Sequence, residues 1–221
     1  MGELALVTGF AGYGGRSLNP AGEAAKALDG RRIGGLTVVG RVLPVDYRTL
    51  QSDIQSLMDE VKPRLAIGLG LWPGEAAIRL ERVAVNLADF EIPDNAGSFL
   101  AETPISGNAG PALMASLPLR RIQGALLDAG IPARISSSAG TFLCNATLFA
   151  LLTQAERMAP PPLAGFVHLP YLPEQVAVLI RAIREERVCE LHQRADLASM
   201  DLATSTRALS IAIETSASAQ I

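Results

Sequence analysis

Residues 136–152 of the chain read SSSAGTFLCNATLFALL, a small, polar stretch that turns at a glycine and then becomes apolar. Leu148, Leu152 and Ala155 recur at the spacing of one buried helix face, which predicts a helix that starts near Cys144. Backbone N–H groups and the positive end of the helix dipole favour the thiolate of a cysteine at that place. Because the thiolate is the nucleophilic form, Cys144 is a candidate nucleophile, provided that a histidine can reach it.

Strands and helices alternate along the rest of the chain. Apolar runs predict strands over 4–8, 36–43, 64–69, 77–87, 131–136 and 165–170, and helical periodicity predicts helices over 21–28, 50–61, 118–129, 173–183 and 202–213. This alternation indicates an α/β fold with parallel neighbouring strands. No repeat or linker divides the chain, so we expect residues 1–221 to form a single domain, with a small polar tail from 215 onwards that frays.

The composition excludes several classes of function. The chain has 221 residues, 49% of them hydrophobic, and a net charge of -3, with no long basic run that would favour nucleic acid. Its apolar runs are too short for a transmembrane helix, and Glu3 stands where a signal peptide would carry positive charge. Two cysteines do not make a disulfide framework. We therefore expect a cytoplasmic protein with reduced thiols that binds neither nucleic acid nor membrane.

One of the two histidines of the chain is a candidate base for the thiol. His168 lies near the carboxyl end of a predicted strand, and Cys144 follows another, so both side chains are expected at the edge of the sheet where α/β sites gather. A thiol and an imidazole within hydrogen-bond reach form a catalytic pair, usually with a third group that orients the imidazole. Glu81, Asp94 and Asn145 are the candidates for that third group. The alternative is a buried cysteine beside a structural histidine.

A metal site is a weaker possibility. Cys189 and His192 are three residues apart in a predicted helix and so could share one face of it. Two ligands without a second pair do not complete a zinc site. We therefore predict that the protein holds no metal.

The glycine-rich segment after the first strand, GFAGYGG at residues 9–15, could in principle cradle a phosphate. Its spacing matches neither the Walker A pattern nor the dinucleotide-binding pattern. The segment also carries two aromatic residues, Phe10 and Tyr13, which could equally wall a small, flat pocket. We favour the pocket over a phosphate site.

Four blocks of sequence resemble the type I pyroglutamyl peptidases, a family of cysteine peptidases. The blocks are TGF with GG and NP in 8–20, ERVAVN with IPDN in 81–95, AGTFLCN in 139–145 and GFVHLPYLPEQ in 165–175. They occur in the family's order and spacing across most of the chain, so their joint signal is strong although each is short.

The resemblance implies an enzyme that removes an N-terminal pyroglutamyl residue from peptides through an acyl-enzyme. It assigns Cys144 as the nucleophile, His168 as the general base and Glu81 as the residue that orients the histidine. Composition alone would have placed Glu81 on a solvated edge. The resemblance also implies a lactam pocket without cofactor or metal, walled by Phe10, Tyr13, Ile92, Phe142 and Leu143. The implied fold is a single-domain, three-layer α/β/α sandwich around a mixed, mostly parallel sheet, commonly assembled as a homotetramer.

Three of the departures from the family pattern bear most directly on the chemistry. Leu71 stands where the family usually has glutamine, and Glu75 and Glu91 stand where it usually has arginine. Leucine cannot hydrogen-bond a lactam, and a carboxylate near Cys144 would disfavour the thiolate. Three functions therefore stay open: the pyroglutamyl peptidase, a cysteine amidohydrolase of the same fold with a shifted substrate, and a catalytically silent protein that binds through the same pocket.

Overall fold

A mixed, seven-stranded sheet forms the centre of the computed structural model, which describes residues 3–185 and 197–219. The strands are β1 (Leu4–Phe10), β2 (Arg32–Ile33), β3 (Leu36–Leu43), β4 (Leu65–Leu71), β5 (Ile78–Glu81), β6 (Val83–Val85), β7 (Ala112–Met114), β8 (Ala133–Ser136) and β9 (Leu163–Leu169). The helices are α1 (Pro20–Leu28), α2 (Tyr47–Val61), α3 (Leu119–Asp128), α4 (Leu143–Arg157), α5 (Pro173–Glu185) and α6 (Leu202–Ala217).

The large sheet has the strand order β2-β3-β1-β4-β9-β5-β8, and β6 pairs with β7 in a separate ribbon. Strands β3, β1, β4 and β9 are parallel to one another, whereas β5 runs antiparallel to β9 and parallel to β8. The β5–β9 register places Arg79 opposite His168 and Glu81 opposite Phe166. Because alternate residues of a strand share a face, Arg79, Glu81 and His168 project from the same side of the sheet.

Helices cover both faces of the sheet. Leu28 of α1, Ile122 of α3 and Ile213 of α6 belong to the apolar cluster on one face. Ile54 of α2 and Leu148 of α4 belong to the cluster on the other face. The expected three-layer α/β/α sandwich around a mixed, mostly parallel sheet is therefore confirmed.

Local sequence explains where most elements begin. Strand β3 has the predicted bounds, and α1 begins at Pro20 after Asn19, whose side chain caps the helix by accepting from the N–H of Ala21. Helix α2 begins at Tyr47, earlier than its apolar periodicity predicts. The reason is Asp46, whose side chain accepts from the N–H of Arg48 and caps the helix there.

Two predictions differ more substantially from the structure. The single strand expected over 77–87 is divided at Arg82: β5 stays in the large sheet, and β6 leaves it to pair with β7. The tail expected to fray from residue 215 is helical as far as Ala217, because Ser216 is buried and its hydroxyl donates to the carbonyl of Ala212. None of the helices in the described ranges is both long and apolar enough to cross a membrane.

Candidate active site

Cys144 is the second residue of α4, at the helix start that the sequence predicts. Its side chain is half-buried and lines a cavity. The preceding residue, Leu143, is buried and anchors the first turn of the helix in the core. The helix therefore holds the thiol at a fixed point, beside backbone N–H groups that have no partner within the helix.

His168 meets Glu81 beneath the thiol. The imidazole Nδ1 lies 2.9 Å from Oε1 of Glu81, and both side chains are fully buried. Glu81 is ionised and can only accept, so Nδ1 carries the proton of the neutral ring. The other nitrogen, Nε2, is left with a lone pair that can accept a proton.

The other two candidates for the third group have structural roles. The Asn145 amide accepts from the N–H of Val85 and donates to the carbonyls of Val85 and Leu87, so it fastens α4 to the segment after β6. Asp94 accepts from the N–H groups of Tyr47, Ala96 and Ser98, which shapes its own loop. Of the three candidates, Glu81 is the one that contacts His168.

Gly70 of β4 leaves the space in which the thiol and the imidazole meet. A Cβ atom at this position would lie 2.7 Å from Sγ of Cys144 and 2.9 Å from Cδ2 of His168. Both side chains therefore adjoin one point on the sheet. A side chain at position 70 would push them apart.

Burial and local charges decide the ionisation of the site. Burial raises the pKa of the Cys144 thiol to about 12; the charge of Glu81 adds to the rise, and a backbone hydrogen bond offsets only part of it. Burial lowers the pKa of His168, although Glu81 opposes that shift. Burial would also raise the pKa of Glu81, but His168, Ser136 and Arg79 outweigh it, and the net pKa is lowered.

The free protein therefore holds a neutral thiol beside a neutral imidazole. A backbone hydrogen bond at the start of α4 lowers the pKa of Cys144, in the sense that the sequence predicts, but the cost of desolvating the charged sulfur is larger and the net pKa is raised. The Glu91 carboxylate was expected to raise this pKa, but burial and Glu81 are the main causes. A neutral thiol is a poor nucleophile, so chemistry at this sulfur would require a base that takes its proton.

A cavity of about 330 Å³ opens over Cys144 and His168. It brings together all five residues that the resemblance implies as pocket walls: Phe10, Tyr13, Ile92, Phe142 and Leu143. The walls are largely flat and apolar, and burial, followed by the charge of Cys144, raises the pKa of Tyr13 to about 12. The cavity therefore suits a small, uncharged ring.

The three departures from the family pattern lie in different places around the cavity. Leu71 is buried in its wall, where it adds apolar surface. Glu91 is exposed at its rim, together with Asp89. Glu75 does not line the cavity and instead lies behind His168, in contact with Arg79.

Sequence reasoning missed two residues that surround the histidine. The Trp72 ring stands edge-on to the imidazole with 5.0 Å between centroids, and Nε of Arg79 donates to Oε1 of Glu81 at 3.0 Å. The signal for Arg79 is its position two residues before Glu81 on a predicted strand, which places both side chains on one face. Trp72 follows β4 directly and carries no comparable signal.

The two residues considered as metal ligands, Cys189 and His192, lie outside the described part of the chain. Within the described ranges, no group of three or more His, Cys, Asp or Glu side chains is close enough to hold a metal ion. The expectation that the protein needs neither metal nor cofactor stays a prediction.

Fold and site together define an α/β protein with a thiol–imidazole–carboxylate site, the class of site that serves nucleophilic catalysis. The sequence profile of the pyroglutamyl peptidase family matches residues 4–219, and the chain belongs to that family.

Individual relatives agree in sequence and in structure. A pyrrolidone-carboxylate peptidase of Pyrococcus furiosus is 44% identical over 171 residues, which cover 77% of this chain and 82% of that protein. One of Gloeobacter violaceus is 40% identical over 209 residues, covering 95% and 94%. A solved structure of a mutant pyrrolidone carboxyl peptidase from Pyrococcus furiosus superimposes with a TM-score of 0.88 at 38% identity, covering 96% of this chain and 97% of the other. The pyrrolidone carboxyl peptidase of Thermococcus litoralis gives 0.87 at 39% identity, covering 98% and 93%.

Proposed function

We propose that this protein removes the N-terminal pyroglutamyl residue from peptides, with Cys144 as nucleophile, His168 as general base and Glu81 as the group that orients the histidine. The observation that carries the proposal is the buried His168–Glu81 pair beside the thiol, at 2.9 Å, under an apolar cavity. Membership of the pyroglutamyl peptidase family supports it independently.

Acylation starts from the neutral pair. Nε2 of His168 takes the proton of the Cys144 thiol as the sulfur attacks the carbonyl carbon that joins the pyroglutamyl residue to the rest of the peptide. Backbone N–H groups at the start of α4 stabilise the negative oxygen of the tetrahedral intermediate. The C–N bond then breaks, the leaving amine takes the proton from His168, and a thioester remains on Cys144.

Deacylation repeats these steps with water as the nucleophile. His168 takes a proton from a water molecule, the hydroxide oxygen attacks the thioester carbon, and the C–S bond breaks. The sulfur recovers the proton from His168, and pyroglutamate leaves. Throughout, Glu81 keeps the proton on Nδ1 and stabilises the imidazolium that forms twice in each cycle.

The five pocket residues provide the walls for the lactam. Phe142 packs edge-on against Phe90, with 4.6 Å between ring centroids, which fixes its orientation. The charged residues of the lining, Asp89 and Glu91, are exposed at the rim. A flat, uncharged ring is therefore bound among apolar side chains while the rest of the peptide points towards solvent.

Family membership does not favour the two alternative functions, a shifted amidohydrolase and a silent binding protein. Presence of all three reacting groups in one place also argues against a silent protein. We further infer one domain, because both apolar clusters pack on the same sheet. The expectation of a cytoplasmic homotetramer rests on the resemblance, and light scattering of the purified protein tests its assembly.

Release of a fluorogenic amine from its pyroglutamyl amide tests the proposal. We expect turnover by the wild-type protein and a loss of roughly 1,000-fold or more in kcat for Cys144→Ala, because the nucleophile is gone. Cys189→Ala, which removes the other cysteine, is the matched control and should keep its activity. Acid quenching during turnover should leave a pyroglutamyl group on Cys144, detectable by mass spectrometry.

Turnover that survives in Cys144→Ala would overturn the assignment of the nucleophile. Absence of both turnover and acylated Cys144 in the wild-type protein would overturn the assignment of the substrate.

A further inference from the structure

Arg79 is a buried cation directly behind the catalytic pair. Its side chain, 9% exposed, lies on β5 and its Nε donates to Oε1 of Glu81 at 3.0 Å. The same oxygen lies 2.9 Å from Nδ1 of His168. Two donors thus meet at one carboxylate oxygen, which restricts the orientation of the carboxylate more than either would alone.

The other end of the guanidinium reaches the segment that leads to the nucleophile. Its Nη2 donates to Oγ of Ser136 at 2.7 Å and to the carbonyl of Ser138 at 2.9 Å. Ser136 ends β8, and Ser138 lies in the turn before Cys144. One planar group therefore links the strand that carries Glu81 to the segment that leads into α4, the helix that carries the thiol.

The face of the guanidinium supports a wall of the site. Cζ of Arg79 lies 3.7 Å from the centroid of the Trp72 ring, a close cation–π contact. The same ring stands edge-on to the imidazole of His168, 5.0 Å between centroids. Arg79 therefore holds both the carboxylate and the indole that fix the plane of the histidine.

Consecutive ion pairs connect the surface of the protein to the histidine. Arg134 of β8, 56% exposed, pairs with Glu75, and Glu75 lies 3.6 Å from Nη1 of Arg79. Arg79 in turn pairs with Glu81, and Glu81 pairs with His168. The groups that face His168 are Glu81 and Arg79 from β5, Glu75 from the loop before it, and Cys144 from α4.

We propose that Arg79 is a positioning residue of the proposed reaction, which fixes Glu81 and Trp72 around His168. The positive charge of Arg79 and the negative charge of Glu75 change the basicity of His168 in opposite directions. The proposal rests on the proposed function, since it requires His168 to accept the proton of the thiol.

The signs follow from simple electrostatics. Burial lowers the pKa of His168, Glu81 raises it, the positive charge of Arg79 lowers it further, and the negative charge of Glu75 raises it. Loss of the Arg79 charge must therefore raise this pKa, and loss of the Glu75 charge must lower it. A residue that only supported the fold would not produce opposite shifts at two adjoining positions.

The pH dependence of kcat/KM on the pyroglutamyl amide tests the tuning. The acid limb of this profile reports the base in the free enzyme. We expect it to move to higher pH in Arg79→Met and to lower pH in Glu75→Gln. Arg134→Gln is the matched control, because its exposed charge is screened by solvent and its profile should coincide with that of the wild type.

Arg79→Lys separates position from charge. Lysine keeps the charge but lacks the planar fork and cannot hold all the acceptors at once. We expect an acid limb close to that of the wild type together with a kcat about 10- to 100-fold lower, the loss typical of removing a supporting partner. Thermal unfolding of each variant establishes that it is folded.

NMR titration of the imidazole keeps this proposal separable from the proposed function, because it needs no substrate. In a His192→Gln background the remaining ring signal belongs to His168, and its midpoint should rise in Arg79→Met and fall in Glu75→Gln. Coincident curves in folded variants, or a ring that titrates in none of them, would overturn the tuning even if the wild type is fully active. Shifted curves in a protein without turnover would leave the tuning in place and refute the proposed activity.

Discussion

At the scale of single residues, Gly70 is the position on which the reacting atoms depend most directly. Gly70 belongs to β4. Its role comes from having no side chain. The sulfur of Cys144 and the ring of His168 occupy the volume that a Cβ would need. Chemistry at this site thus depends on the absence of a side chain at position 70.

We predict that Gly70→Ala lowers kcat/KM by at least about 100-fold, since a displacement near 1 Å of a reacting group can cost that much. The assay is turnover of the pyroglutamyl amide. Gly124→Ala is the matched control: it lies in α3 with nothing within 4 Å of the new Cβ, and we expect full activity and a stability gain of roughly 0.5–1 kcal/mol. Equal activity of Gly70→Ala and the wild type would refute the packing argument.

The residue scale is also where the sequence was least informative. It placed Cys144 at a helix start and His168 at a strand end, because spacing and strand order determine both. Spacing and strand order alone leave Glu81, Asp94 and Asn145 as equal candidates, and the family resemblance is what points to Glu81. Choosing among them on physical grounds requires the antiparallel β5–β9 register, which no local pattern encodes. The net rise in the pKa of the thiol could not be predicted for a related reason: burial depends on the whole fold, whereas a helix terminus can be recognised locally.

At the scale of elements, α4 is held in place by one amide. Asn145 is completely buried and accepts or donates three hydrogen bonds to the backbone between Val85 and Leu87. These bonds fix the start of α4, and with it Cys144, against the segment that follows β6. The sequence pattern predicts α4 and one strand that includes the residues of β6, but not that a polar residue joins them.

Asn145→Ala should lower the free energy of unfolding by on the order of 2–4 kcal/mol, because it leaves buried backbone groups without partners. Urea unfolding measures the change. Asn95→Ala serves as the comparison: the side chain is exposed and donates one hydrogen bond to the carbonyl of Gly12, so its loss should cost about 0.5 kcal/mol or less. Equal losses in the two variants would contradict the role given to Asn145.

At the scale of the whole molecule, the sequence predicted the layers but not all of the sheet. Alternating strands and helices suffice for an α/β fold, and the amphipathic pattern of each helix determines which of its residues pack against the sheet. The very short strands β2 and β7 and the break at Arg82 were missed, because two or three residues carry no measurable periodicity.

The ionisation of the site makes stability depend on alkaline pH. The pKa of Cys144 is raised to about 12 in the folded protein, so the folded state holds this proton more tightly than the unfolded chain does. The resulting stability is fully present below the ordinary thiol pKa, about 8.5, and is lost as pH rises from there through the folded value.

We therefore expect the wild-type protein to lose more stability than Cys144→Ala between pH 8 and pH 10, by on the order of 1 kcal/mol. Urea midpoints at the two pH values provide the measurement. Tyr13→Phe gives a control for the neighbouring phenol, whose pKa is also raised to about 12 and whose contribution begins only near its ordinary value. Parallel losses in the wild type and Cys144→Ala would show that the thiol is not protected by burial.

The antiparallel pairing of β5 with β9 also has a consequence for how the molecule forms. Glu81 and His168 are 87 residues apart in sequence, and a slip of one residue between their strands would turn one of them to the opposite face of the sheet. Contacts of such long range are slow to form, so a chain can be compact and helical before the two strands are in register. Recovery of activity after dilution from denaturant should therefore lag behind recovery of the helical circular dichroism signal. The rate at which turnover returns then measures how fast β5 and β9 pair in the correct register.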